Sequence, residues 1–182
     1  MITKMELAPF SPYICKPTNE TRQAIARQVM DPSDAHTDQI IEGFIQIIAM
    51  EGPTLSSRLF ILYAKKGGIV KLTAHAAKRF FQALRKATLA HQISMEMDMD
   101  VKGAAALLWL PSMKRVQLRE YGNRGFDDIP ASELGEVMFE LAAESTDEKH
   151  QLYLNIAEFY GLSHLPKNAE TRLDAVYEAY LG

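Results

Sequence analysis

The hydrophobic pattern of this chain changes period once, near residue 93, and that change limits the fold more than any other feature. Ahead of it, apolar residues recur at helical spacing. From Ile93 onward they alternate: Ile93, Met95, Met97 and Met99 fall on one face, with Ser94, Glu96, Asp98 and Asp100 on the other. A helix buries a stripe of period 3.6 and a strand buries a face of period 2, so the alternation predicts a half-buried strand. Val101-Lys102-Gly103 reads as a turn, and residues 104–110 read as a second, more apolar strand. The expected hairpin pairs residues 93–98 antiparallel with residues 105–110, with Met95 and Met97 facing the helices.

Three helices are expected before the hairpin. In the first, Ile40, Ile41, Phe44, Ile45 and Ile48 form an amphipathic stripe that Glu51-Gly52-Pro53 stops. Thr54 then reads as the cap of a second helix with Leu55, Leu59 and Leu62 in line. Lys65 and Lys66 lie in its last turn, where cations complement the helix dipole, and Gly67-Gly68 ends it. The third runs from Thr73 to about His91, with Ala77, Phe80, Phe81 and Leu84 expected to face inward. Three helices followed by a hairpin is the order of a winged helix-turn-helix, here assigned to residues 36–111.

Residues 1–35 read as an N-terminal arm. Pro9, Pro12 and Pro17 keep it extended, and Asn19 offers a cap for a short helix to about Met30. Residues 112–182 read as a linker strand, at 116–119, and a three-helix unit. Pro130 suits a helix start, followed by Leu134, Val137, Met138, Leu141 and Ala142. Ser145-Thr146-Asp147-Glu148 reads as a capping box for a helix carrying Leu152, Ile156, Phe159 and Tyr160. Asn168 is the expected cap of a last helix with Leu173, Val176, Tyr177, Tyr180 and Leu181. The fold class is mainly α with a small β-hairpin, a winged helix-turn-helix followed by a three-helix unit.

Charge sets limits on partners. Of 182 residues, 24% are charged and 47% hydrophobic, and the formal net charge is −3, so neither disorder nor a strongly basic nucleic-acid binder follows. The distribution is uneven. Residues 36–111 hold nine basic and six acidic side chains, whereas residues 112–182 hold seven basic and thirteen acidic. A single cysteine, Cys15, allows no internal disulfide and fits a reducing compartment. Residues 1–17 carry no signal-peptide pattern, and no apolar run is long enough to span a bilayer. A cytoplasmic protein without a membrane partner is expected.

Candidate chemistry gathers on the third helix. Lys78, Gln82 and Arg85 fall at i, i+4 and i+7 on one face, with His75, Arg79 and Lys86 beside them and Lys71 just ahead. Basic and amide side chains at that spacing can reach phosphates and base edges in a major groove, and they equally make an ordinary solvated face. Glu96, Asp98 and Asp100 on the wing would repel phosphates, and an acidic wing suits protein docking. No catalytic constellation stands out. The histidines His36, His75, His91, His150 and His164 lack ligand spacing, and Asp98 with Asp100 reads as the solvent side of a strand without a third ligand. Cys15 lies in a Pro-rich arm with no histidine near it. Asp147-Glu148-Lys149 is explained by a helix start, and no Gly-x-x-x-x-Gly-Lys-Ser/Thr phosphate loop occurs. No enzyme, metal or cofactor is expected.

The order of several short motifs resembles a known module. These are residues 47–53 (Ile-Ile-Ala-Met-Glu-Gly-Pro), the Gly67-Gly68 break before a basic helix, Leu107-Leu108-Trp109-Leu110-Pro111, and residues 116–119 (Val-Gln-Leu-Arg). Residues 128–134 and Ile156-Ala157-Glu158-Phe159-Tyr160-Gly161-Leu162 complete the series. Together they resemble the C-terminal domain of unknown function that ends large bacterial superfamily-one helicases, next to a very-short-patch-repair-like nuclease domain. In that family an Arg-x-Gly-x-Arg-like element follows the glycine, where this chain has Lys71, Thr73 and His75. The resemblance implies a module and its company, not an activity. The expected function is a non-enzymatic winged-helix module with a nucleic-acid-binding or regulatory role in DNA processing or defence. The alternative is a docking module for a helicase or nuclease protein.

Overall fold

The computed structural model describes residues 7–99, 105–144 and 148–182. Short polar side chains decide where its first helices begin. Thr18 and Thr21 satisfy each other's backbone N–H groups at the start of α1 (Asn19–Met30), one residue ahead of the expected cap. The Ser33 hydroxyl caps α2 (Asp34–Glu51), and Gly52, at a φ of 80° that suits glycine, ends it. Thr54 is not a helix cap. It belongs with Leu55 to a two-residue strand, β1 (Thr54–Leu55), and α3 (Ser56–Lys66) starts behind it. Leu55 is fully buried as a strand residue, which is why it fitted the apolar stripe of the helix that follows.

After α4 (Ala74–Leu89) come β2 (Ser94–Met97) and β3 (Ala106–Trp109). The sheet order is β1-β3-β2, and β1 runs antiparallel to β3 with Thr54 opposite Leu108 and Leu55 opposite Leu107. The hairpin is therefore present, and just past β2 the Asp98 N–H donates to the carbonyl of Ala105, the residue ahead of β3. The turn expected at 101–103 lies outside the described residues. Met95 and Met97, expected to face the helices, are 39% and 59% exposed. The reason is position: β2 is an edge strand, and only Ile93, just ahead of it, reaches the core. Methionine tolerates such exposure because its flexible thioether is only weakly apolar.

The chain divides into two compact units. One comprises residues 11–96 and 106–115, the other residues 1–10, 97–105 and 116–182. The first, called the helix-sheet unit, has Phe44 at its centre, with the rings of Tyr63, Phe60 and Phe80 at 5.1, 5.7 and 5.9 Å. Edge-on and offset contacts of this kind suit the quadrupoles of aromatic rings. Ile40, Ile47, Ile48, Leu59 and Leu84 fill the space around them. A buried arginine holds one polar seam. Arg58 pairs with Glu51 at 2.7 and 2.9 Å, and Glu51 also accepts from the Tyr13 N–H.

The second, the helical unit, packs α5 (Ala131–Glu144), α6 (Lys149–Phe159) and α7 (Ala169–Tyr180) around Leu134, Val137, Met138, Ile156, Leu173 and Val176. The strand expected at 116–119 is reduced to a parallel bridge between Ala8 and Arg119. Of the expected capping box, residues 145–147 lie outside the described residues, and Glu148 makes no side-chain cap bond. Asn168 precedes α7 without a side-chain cap bond as well. Its part is conformational: it takes the left-handed φ of 68° that asparagine tolerates. No helix among the described residues is long and apolar enough to cross a membrane.

Candidate nucleic-acid interface

A cap fixes the start of the helix that carries the candidate residues. Thr73 caps α4, its hydroxyl accepting from the Ala76 N–H at 3.2 Å. Ala76, Phe80, Ala83, Leu84 and Ala87 are buried against α2 and the rest of the core, which turns the opposite face to solvent. At 100° per residue, Lys78, Gln82, Arg85 and Leu89 lie within a narrow arc of that outer face. All four are exposed, as is Lys71 in the approach to the helix.

The seven candidate residues do not share one fate. Lys71, Lys78, Gln82 and Arg85 have no hydrogen bond or ion pair within the protein, among the described residues. Arg79 points the other way and is buried. Its guanidinium donates to the Gln28 carbonyl at 3.2 Å, the Asp31 carbonyl at 3.3 Å and the Thr37 hydroxyl at 2.7 Å, binding the end of α1 to the start of α2. It serves the fold, because its position on α4 is a quarter turn from the outer arc. Lys86 is half exposed and held between Asp38 at 2.9 Å and Asp34 at 3.0 Å. The bonds it donates to Asp38 and then Asp34 hold its pKa above the usual lysine range. The His75 ring lies 3.2 Å from the Val29 carbonyl, so its Nε2 is placed as a donor to backbone.

Phe81, expected inside, is 54% exposed. Two adjacent aromatics cannot both occupy the centre of a buried stripe, and Phe80 takes that place. With Val70 at 98% and Leu89 at 72% exposure, the outer face of α4 and its approach mix cations with large apolar groups.

The acids of the expected wing are less available to repel an anion than their sequence implies. Glu96 is bound by both arms of the Arg115 guanidinium, at 2.5 and 2.9 Å. The Asp98 carboxyl, expected on the solvent side of the strand, is only 4% exposed and accepts from the Ala131 N–H at 2.9 Å. It thus caps α5 from outside the helix's own sequence, where an anion complements the helix dipole. Asp100 lies outside the described residues.

Sequence reasoning missed the anchors of Arg79 and Lys86, because Gln28, Thr37, Asp34 and Asp38 are far from them along the chain. Phe81 as an outward residue could have been found: Ala76, Phe80, Ala83, Leu84 and Ala87 form the better apolar stripe. Among the described residues, no group of three or more His, Cys, Asp or Glu side chains is placed to hold a metal ion. Burial pushes the Cys15 thiol up, and its sulfur donates to the Leu62 carbonyl. Compared with known proteins, the chain matches no family model, no curated protein and no solved structure.

Proposed function

We propose that this chain is a non-enzymatic winged-helix module that binds duplex nucleic acid through α4. The observation that carries the reading is the outer face of α4, where Lys78, Gln82 and Arg85 stand exposed and, among the described residues, without internal partners. Two further observations support it. The order α2-β1-α3-α4-β2-β3, with β3 central in the sheet, supports reading α4 as the second helix of a helix-turn-helix pair, the one that would enter a groove. The wing acids Glu96 and Asp98 are engaged within the protein, which lowers the repulsion a phosphate would meet.

In this reading Lys71, Lys78 and Arg85 engage phosphates or base edges, and Gln82 reads a base edge. Lys86 and His75 sit at the margin, and Arg79 takes no part. The setting is a bacterial cytoplasm, in the company of DNA-processing or defence proteins, on the strength of the motif resemblance alone. A double substitution, Lys78→Glu with Arg85→Glu, abolishes a salt-sensitive gel shift of duplex DNA. A wild-type chain that shifts no duplex at low salt defeats the proposal.

A second reading is favoured by different residues. Val70 and Leu89 are large, apolar and exposed beside the same cations, a composition that also fits docking of a helicase or nuclease protein through an acidic, apolar helix. Pull-down of such a partner, lost on Leu89→Asp and kept on Lys78→Glu with Arg85→Glu, separates it from the duplex reading.

A further inference from the structure

The further inference rests on the duplex reading and concerns an apolar residue at the edge of that face. Phe81 follows Lys78 by three residues and precedes Arg85 by four, so the ring stands between the two cations on one side of α4. Gln82 adjoins it. Phe81 is more than half exposed, because Phe80 takes the buried place on α4. A phenyl ring held in water between two unpaired cations matches a surface that is anionic at its walls and apolar at its floor.

The major groove of DNA has that character. Phosphates line it, and each thymine projects a C5 methyl group into it, beside the N6 and N7 edge of the paired adenine. RNA does not. Its major groove is too deep and narrow for a helix, and uracil has no methyl group. We propose that Phe81 reads a thymine methyl group in the major groove of duplex DNA, with Gln82 placed to take an adenine edge. The occupant of α4 is then thymine-bearing DNA and not RNA. An acidic protein helix is the competing occupant. It would draw on Leu89 and Val70 as much as on Phe81, whereas the thymine contact needs only the ring between the cations.

The test begins with the full chain and a randomised DNA duplex library, selected at low salt. The site that is enriched is then made twice, once with thymine and once with deoxyuridine, which differs only by the missing methyl. The deoxyuridine version binds the wild type about fourfold more weakly, the worth of one buried methyl group. Phe81→Ala binds both versions alike, and Phe81→Leu, which keeps an apolar contact, keeps part of the difference. Duplex RNA of the same sequence fails to compete. Equal binding of the two versions by the wild type overturns the thymine contact and leaves the duplex reading standing. So does a difference that survives in Phe81→Ala. If the full chain enriches no duplex, both readings fall and α4 is left to a protein partner. Both substitutions are at a half-exposed position outside the core, so loss of folding does not confuse the outcome.

Discussion

The most demanding residues in this protein are the charges it buries. In the helical unit, Glu133 accepts from Arg119 at 2.9 Å and from both terminal nitrogens of Arg124 at 2.8 and 2.9 Å. Phe10 covers the pair, with the two guanidinium carbons 5.6 and 4.8 Å from its ring centroid. Desolvating these groups is costly, and only the completed arrangement offsets that cost. Glu133→Ala leaves two guanidinium groups buried beside each other, and a loss of about 3–5 kcal/mol is expected from the urea midpoint and slope. A loss below about 1 kcal/mol, the range of surface pairs, would mean that water already reaches the cluster. Buried tyrosines set a separate condition. Burial pushes the Tyr160 hydroxyl well above the usual range, and burial also raises Tyr63, whose hydroxyl donates to Gln28. The folded state therefore favours the neutral phenols, and ionisation favours the unfolded chain. Their stabilising effect is complete below about pH 10 and is lost as pH rises beyond it toward the folded values. Tyr160→Phe removes one such group, so its stability falls less steeply than wild type above pH 10. A parallel alkaline decline in the two proteins would contradict the assignment.

At the scale of elements, close approach of helices is bought by glycine at one informative place. A Cβ built on Gly43, in the middle of α2, would lie 2.2 Å from Cε2 of Tyr63 on α3. Gly→Ala in a helix ordinarily gains about 1 kcal/mol, but forcing atoms into a packed seam costs about 1–3 kcal/mol. Gly43→Ala is therefore expected to lower the thermal midpoint, and a raised midpoint would show that the ring can move aside. The same scale explains what the sequence disclosed. Helical stripes such as Ile40, Ile41, Phe44 and Ile48 are local, and so is the alternation from Ile93 that announced the hairpin. β1 was not legible, since two residues carry no period and Leu55 also fits the stripe of α3. Nor was the burial of Asp98: alternation assigned it to solvent, while its true partner is the Ala131 N–H, 33 residues on. On α4 the exposed triplet Lys78, Gln82 and Arg85 was readable from spacing, but the inward turn of Arg79 depended on carbonyls of α1 that only the tertiary structure supplies.

At the scale of the whole molecule, charge follows the two units more sharply than it follows the sequence thirds. The helix-sheet unit, residues 11–96 and 106–115, contains thirteen basic and seven acidic side chains, net +6, and the remaining residues carry −9. A chain that totals −3 thus contains one unit suited to an anion. Which part of that positive charge a duplex would touch can be counted. Each phosphate neutralised by a cation releases counterions, so the logarithm of affinity falls with the logarithm of salt concentration by about 0.9 per contact. Among the described residues, Lys71, Lys78 and Arg85 on the α4 surface have no internal partner, while Arg58, Arg79, Lys86 and Arg115 are engaged inside the protein. If all three touch phosphates, the slope is about −2.7, and Lys71→Ala reduces it by about 0.9 while leaving sequence preference unchanged. The net +6 would instead predict a slope near −5.4 if every unit of charge met a phosphate. Fluorescence anisotropy across a salt series distinguishes the two. A steep slope indifferent to Lys71→Ala would move the interface off α4, to the remaining exposed cations of the unit.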